Sequence, residues 1–68
     1  MTTLDKKYFT TLEEAKKYAN EQYNKYKEQY NIENGYLLQS NVWGATEERH
    51  FENGLYCPYV VITDIQPY

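Results

Sequence analysis

The residues best suited to chemistry lie in one short segment, residues 49–57, which read RHFENGLYC. Asn53-Gly54 is a strong signal for a two-residue type I′ turn between antiparallel strands. Pairing outward from that turn places His50 opposite Cys57, with Cβ atoms about 5 Å apart. A thiolate beside an imidazole is the start of a cysteine nucleophile, and both side chains also bind zinc. The segment therefore raises two hypotheses, a Cys/His enzyme and a metal site.

A solvent-facing hairpin explains the same residues without any chemistry. In this interpretation Phe51 and Tyr56 point to the core, and His50 and Cys57 point to solvent. A dyad also needs an oxyanion hole and a pocket, which a single sheet in a chain of 68 residues rarely encloses. Structural zinc needs four ligands, whereas the chain has one Cys and one His. We therefore predict no catalytic residue, no metal site and no cofactor.

Acidic residues surround the same segment. Glu47 and Glu48 precede it and Glu52 lies within it. Carboxylates fixed on a hairpin can imitate phosphates and occupy the basic site of a nucleic-acid enzyme. The alternative is a charged edge strand that prevents edge-to-edge aggregation.

The distribution of charge argues against nucleic-acid binding. Residues 1–31 carry six lysines and five acids, for +1, whereas residues 32–68 carry Arg49 and five acids, for −4. An acidic surface repels the phosphate backbone. Aromatic side chains on a sheet could still stack on single-stranded bases, so a nucleic-acid or nucleotide binder is kept as an alternative. The aromatics concerned are Tyr36, Trp43, Tyr56 and Tyr59.

One amphipathic helix is predicted from residue 12 to about residue 31. Thr11 and Glu14 form a capping box at its start. An apolar stripe follows the helical period and predicts the face that packs on the sheet. Its members are Leu12, Ala15, Ala19, Tyr23, Tyr26 and Tyr30. Tyr18 lies off this stripe, so we expect it to meet solvent or a partner.

Four strands are predicted, at about 4–9, 36–43, 47–52 and 55–63, with residues 65–68 as a tail. Gly35 provides the exit from the helix, and Pro58 marks an edge or a bulge. The resulting fold is a single small α+β domain over residues 1–68, in the order β-α-β-β-β. Its one helix packs on a three- or four-stranded, mainly antiparallel sheet. The alternative is α-β-β-β with the first strand as an ordered arm.

The same sequence predicts a cytoplasmic protein. It has one cysteine and no apolar segment long enough for a signal peptide or a membrane span. Its many Tyr, Asn and Lys residues have AT-rich codons, which indicates a low-GC bacterium or one of its phages.

These observations favour a non-enzymatic protein-binding module. Tyr and Trp are enriched in protein interfaces, and nine Tyr and one Trp are more than a small core can hide. The concrete form of the hypothesis is a small phage or mobile-element accessory protein that inhibits a host protein; a homodimer is compatible with it. The predicted partner-binding residues are Tyr18, Tyr36, Trp43, Glu47, Glu48, Tyr56 and Tyr59.

Overall fold

A computed structural model of the chain describes residues 1–44 and 49–68. One helix packs on an antiparallel sheet, which confirms the predicted small α+β fold. The elements are β1 (Thr2–Phe9), α1 (Leu12–Tyr26), a 3₁₀ turn (Ile32–Asn34), β2 (Tyr36–Gly44), β3 (Phe51–Glu52), β4 (Leu55–Tyr56) and β5 (Tyr59–Pro67). The main sheet has the order β1-β5-β2, and β3 and β4 form a separate two-stranded hairpin.

The last strand of the chain is the central strand of the main sheet. β5 pairs antiparallel with β1 on one side and with β2 on the other. Its side chains at Val61, Thr63 and Ile65 are buried and alternate with half-buried ones. The prediction that residues 65–68 form a tail is therefore wrong, because Ile65 is 8% exposed and β5 continues to Pro67.

The predicted strand 55–63 divides at Cys57-Pro58. Pro58 has no amide to donate, and neither residue belongs to a strand. β4 therefore pairs with β3 alone, in the predicted register of Phe51 with Tyr56 and Glu52 with Leu55. The turn between them has positive φ at Asn53 (51°) and Gly54 (80°), as a type I′ turn requires. The first residues of the predicted strand 47–52 lie outside the described part of the chain.

The helix begins where predicted and ends earlier. Thr11 caps it, since its Oγ1 accepts a hydrogen bond from the amide of Glu14 at 3.3 Å. α1 ends at Tyr26, whereas the sequence predicted about residue 31. The side chain of Asn31 donates to the carbonyls of Lys27 and Glu28 at 3.0 and 3.1 Å and so stabilises the turn that follows the helix.

The core between helix and sheet is small. Ala15, Ala19 and Val61 form its buried centre. Partly buried side chains pack around them; these are Phe9, Tyr18, Val42 and Tyr59. Tyr23, predicted to pack on the sheet, is 44% exposed, so that prediction is wrong. Tyr23 instead lines an open groove with Tyr36 and Leu38, beyond the two alanines toward the end of the helix.

A polar contact fixes the helix to the sheet. The Ser40 hydroxyl of β2 donates to the carbonyl of Ala19 at 2.8 Å. The hydroxyl of Thr63 on β5 lies 3.0 Å from Ser40 Oγ. Because the proton of the Ser40 hydroxyl is already donated to Ala19, the Thr63 hydroxyl is the donor to Ser40 Oγ. Thr63 is fully buried, so this contact satisfies a hydroxyl that has no access to water.

We expect Ser40→Ala to lower the free energy of unfolding by about 1–3 kcal/mol, because it leaves the buried Thr63 hydroxyl without its acceptor. Urea denaturation followed by circular dichroism measures the change. Gln39→Ala, at an exposed position of the same strand, is the control and should stay within about 0.5 kcal/mol of the original protein. Equal losses in the two variants would contradict this role of Ser40.

Candidate functional site

Tyr18, which the sequence predicted to meet solvent or a partner, is half-buried between α1 and β1. Its hydroxyl donates to Asp5 Oδ2 at 2.7 Å, and its ring lies 5.0 Å from that of Phe9. The Nζ of Lys7 lies 5.0 Å from the centre of the Tyr18 ring. Tyr18 lies to one side of the apolar stripe, and it is covered because β1 passes beneath that side of the helix.

This environment changes the acidity of Tyr18. Burial, the hydrogen bond to Asp5 and the negative charge of that carboxylate raise the pKa of Tyr18 from 10.0 to about 12. The neutral phenol is therefore the form that the fold favours. Tyr18 has a defined structural role as the link between α1 and β1.

The hairpin is attached to the main sheet through His50. The imidazole stacks on the ring of Tyr8 in β1, with centroids 3.5 Å apart and planes inclined by 12°. Its Nε2 lies 2.9 Å from Glu52 Oε1. The ring of His50 is therefore held between β1 and its own hairpin.

Cys57 and His50 are neighbours in the backbone, but their side chains make hydrogen bonds to other groups. The amide of Cys57 donates to the carbonyl of His50 at 2.8 Å, as their opposed positions require. The thiol points elsewhere: Cys57 is 5% exposed, and its Sγ donates to the carbonyl of Leu55 at 3.5 Å. Within residues 1–44 and 49–68 there is no thiol–imidazole hydrogen bond and no group of three or more metal-ligating side chains.

The two faces of the hairpin are the reverse of those predicted. Cys57 is buried, whereas Phe51 and Tyr56 are 55% and 44% exposed. Leu55 is 61% exposed, and the rings of Phe51 and Tyr56 lie 5.6 Å apart. Paired residues share a face and successive residues alternate, so Phe51 and Tyr56 lie on one face of the hairpin and Leu55 lies on the other, opposite Glu52. We call Phe51 and Tyr56 the hairpin patch. The sequence analysis did not identify Phe51 or Leu55 as candidates, because alternation assigned Phe51 to a core that this short hairpin does not share.

The open face of the main sheet is more mixed. Trp43, 55% exposed, lies opposite Val60 of β5. Asn41 lies opposite Ile62, and Gln39 lies opposite Asp64. Polar side chains interrupt the apolar ones along this face.

The other predicted partner-binding residues are dispersed. Tyr36 is half-buried and meets the ring of Tyr30 edge-on at 5.1 Å. Tyr59 is half-buried against the core. Glu47 and Glu48 lie outside the described residues. Of the predicted set, Tyr56 is therefore the residue that the structure brings into the hairpin patch.

A groove of about 430 Å³ lies at the end of the helix beside the start of β2. Tyr23 and Lys27 form its helix side, and Tyr36 and Leu38 form its strand side. Tyr23 therefore lies on the flank of α1 that overhangs β2.

No helix in the described part of the chain is long and apolar enough to cross a membrane.

We expect Tyr18→Phe to destabilise the protein by about 1–2 kcal/mol near neutral pH, since it removes a hydrogen bond to a carboxylate at a partly buried site. The raised pKa adds a pH dependence. Tyr18 contributes its full stability below about pH 10 and loses it as the pH rises toward about 12, because the unfolded phenol ionises first. Urea unfolding of both proteins at about pH 8 and about pH 11 measures the difference, which should narrow at high pH.

Tyr23→Phe is the control for losing a hydroxyl at an exposed helix position. If the difference in free energy of unfolding between Tyr18→Phe and the original protein stays constant with pH, the proposed role of the Asp5 contact is contradicted.

We expect the Cys57 thiol of the native protein to react with a disulfide reagent at least about a hundredfold more slowly than the same thiol in urea, because burial blocks access. Absorbance of the released thiolate follows the reaction. Equal rates in the two states would show an accessible thiol and revive the Cys/His enzyme hypothesis.

Comparison of the chain with protein-family models, curated proteins and solved structures finds no match. Function is therefore argued from the geometry of the chain itself.

Proposed function

We propose that this chain is a non-enzymatic protein-binding module and that the hairpin patch is its docking surface. The observation that carries the proposal is the exposure of Phe51 and Tyr56 on one face of a preformed hairpin, at 55% and 44%, with their rings 5.6 Å apart. Contiguous exposed apolar side chains on a small protein mark an interaction site more often than isolated ones do.

The energetics favour this surface. Burying one large apolar side chain contributes about 1.5–3 kcal/mol, so the two neighbouring rings of the hairpin patch can anchor a complex. The type I′ turn and the stack of His50 on Tyr8 hold the hairpin in place before binding. Preorganisation of this kind reduces the ordering cost of association.

The charges near the patch define the kind of partner. Glu52 is exposed beside it, and residues 32–68 carry a net charge of −4. A protein with an apolar pocket and a basic rim is complementary to this surface, whereas a phosphate backbone is not. Trp43 on the open face extends the proposed contact area.

The narrower form of the proposal is a small phage or mobile-element accessory protein that inhibits a host protein. It is supported by the frequent use of amino acids that have AT-rich codons and by the acidic charge of residues 32–68. Occupation of a basic host site by the hairpin is the proposed means of inhibition.

We expect Phe51→Ser to reduce partner binding by about tenfold or more, since it removes the more exposed ring of the hairpin patch. The partner is first captured from lysate of a low-GC bacterium, with and without nuclease, and its affinity is then measured by calorimetry with purified proteins.

Ile32→Ser is the matched control, because Ile32 is 56% exposed but lies at the other end of the fold. We expect its affinity to stay within about twofold of the original. Unchanged affinity of Phe51→Ser would contradict the docking surface. Capture that disappears with nuclease would replace this proposal by the nucleic-acid alternative.

A further inference from the structure

The two outer strands of the main sheet differ in how their free edges are protected. β1 carries Lys6 and Lys7 and a register irregularity between Thr3 and Asp5, which are common protections of an edge. β2 reads YLLQSNVWG, without a charge or a proline, and pairs regularly with β5 over its whole length. Within the described residues β2 has no strand on its other side. An edge of this kind is a template for another strand.

The hydrogen-bonding direction of each β2 residue follows from two bonds at the start of the strand. The amide of Tyr68 donates to the carbonyl of Gly35, so position 35 faces β5. The amide of Tyr36 donates to Asn31 and therefore points away from β5. Because the direction alternates along an antiparallel strand, Leu38, Ser40 and Val42 direct their amides and carbonyls to the free edge.

This edge is complementary to itself. Ser40 is the middle residue of β2, Tyr36–Gly44. If two copies pair antiparallel about Ser40, Leu38 of one copy lies opposite Val42 of the other. The amides and carbonyls that these residues direct to the free edge then hydrogen-bond across the two strands. On the open face, Gln39 then meets Asn41 and Leu37 meets Trp43. No like charges are opposed in these pairs. Ser40 meets Ser40, the aliphatic Leu38 meets the aliphatic Val42, and the amide of Gln39 meets the amide of Asn41.

The helices fit the same arrangement. Ser40 contacts the carbonyl of Ala19, which is the middle residue of α1, Leu12–Tyr26. A twofold axis through Ser40 therefore lies level with the middle of each helix. α1 contacts both β2 and β5, so with strands about 4.8 Å apart the two helix axes would be about 10 Å apart, an ordinary distance for packed helices.

The flank of α1 over the free edge carries the exposed apolar side chains of the helix. Tyr23 is 44% exposed and lines the groove with Tyr36 and Leu38. Leu12 is 40% exposed and lies about 20° from Tyr23 around the helix axis. A second copy would cover both, which gives a physical reason for the exposure of a tyrosine predicted to be buried.

We propose that the chain forms a twofold-symmetric dimer in which the β2 strands of two copies pair antiparallel about Ser40. The result is a continuous six-stranded sheet with two antiparallel helices on one face. The dimer leaves the hairpin patch outside the β2 edge, so this inference does not rest on the proposed function. Each can fail without the other.

The register is tested by cross-linking in a Cys57→Ser background. Gln39→Cys and Asn41→Cys together place thiols opposite each other across the twofold axis, in a non-hydrogen-bonded pair whose spacing suits a disulfide. We expect mild oxidation to convert the double variant to a covalent dimer and to leave the single variant Asn41→Cys largely monomeric on a non-reducing gel. More efficient cross-linking of the single variant would overturn the register centred on Ser40.

The association itself is tested by sedimentation equilibrium of the unmodified chain across micromolar to hundred-micromolar concentrations. We expect a species of twice the 8.2 kDa chain mass. Asn41→Lys should weaken association by about tenfold or more, since it brings two positive charges together near the axis. Thr3→Lys, also exposed but on the other outer strand, is the matched control and should change it by less than about twofold. A monomer throughout this range, or equal effects of the two lysines, would overturn the proposal.

Discussion

β5 supplies the hydrogen bonds that hold both outer strands, and its inward side chains fill much of the small core. Val61 and Thr63 are fully buried, and Ile65 nearly so. Ala15 and Ala19 allow the helix to approach this strand closely, and the Thr63–Ser40–Ala19 contact sets its position along the sheet. β1 and β2 both pair with β5 and not with each other, so the sheet can form only once β5 is in place. The architecture therefore depends on contacts between distant parts of the sequence, which slows folding relative to local pairing.

The position of β5 also determines which surfaces remain available. With the last strand at the centre, the two earlier strands become edges, and β3 and β4 form a separate hairpin. The hairpin lies against β1 through His50 and Tyr8 and presents Phe51 and Tyr56 outward. The free edge of β2 and the hairpin patch are thus two consequences of one topology. We propose that the edge pairs with a second copy of the chain and that the patch binds a different protein.

Local signals in the sequence predicted the local structure. The N-cap at Thr11, the type I′ turn at Asn53-Gly54 and the pairing of Phe51 with Tyr56 are all present. Nonlocal packing accounts for the errors. Helical periodicity places Tyr18 and Tyr23 relative to the helix axis, but it does not say that β1 lies under one flank and a free edge under the other. Strand alternation likewise assumed that the hairpin shares the core, whereas two-residue strands bounded by Pro58 bury Cys57 instead. Of the predicted partner-binding residues, only Tyr56 belongs to the hairpin patch. The composition of the patch depends on the separation of β4 from β5, which the local sequence pattern did not predict.

Amide hydrogen exchange, measured on the concentrated protein alone and in complex with its captured partner, tests the account most directly. Our account expects protected amides at Leu38, Ser40 and Val42 in the concentrated protein, although they lie on an outer strand. It expects the partner to add protection within residues 51–56 and to leave the β2 amides unchanged. Partner-induced protection confined to β2, with the hairpin unaffected, would contradict the division of the surface into a self-pairing edge and a docking hairpin.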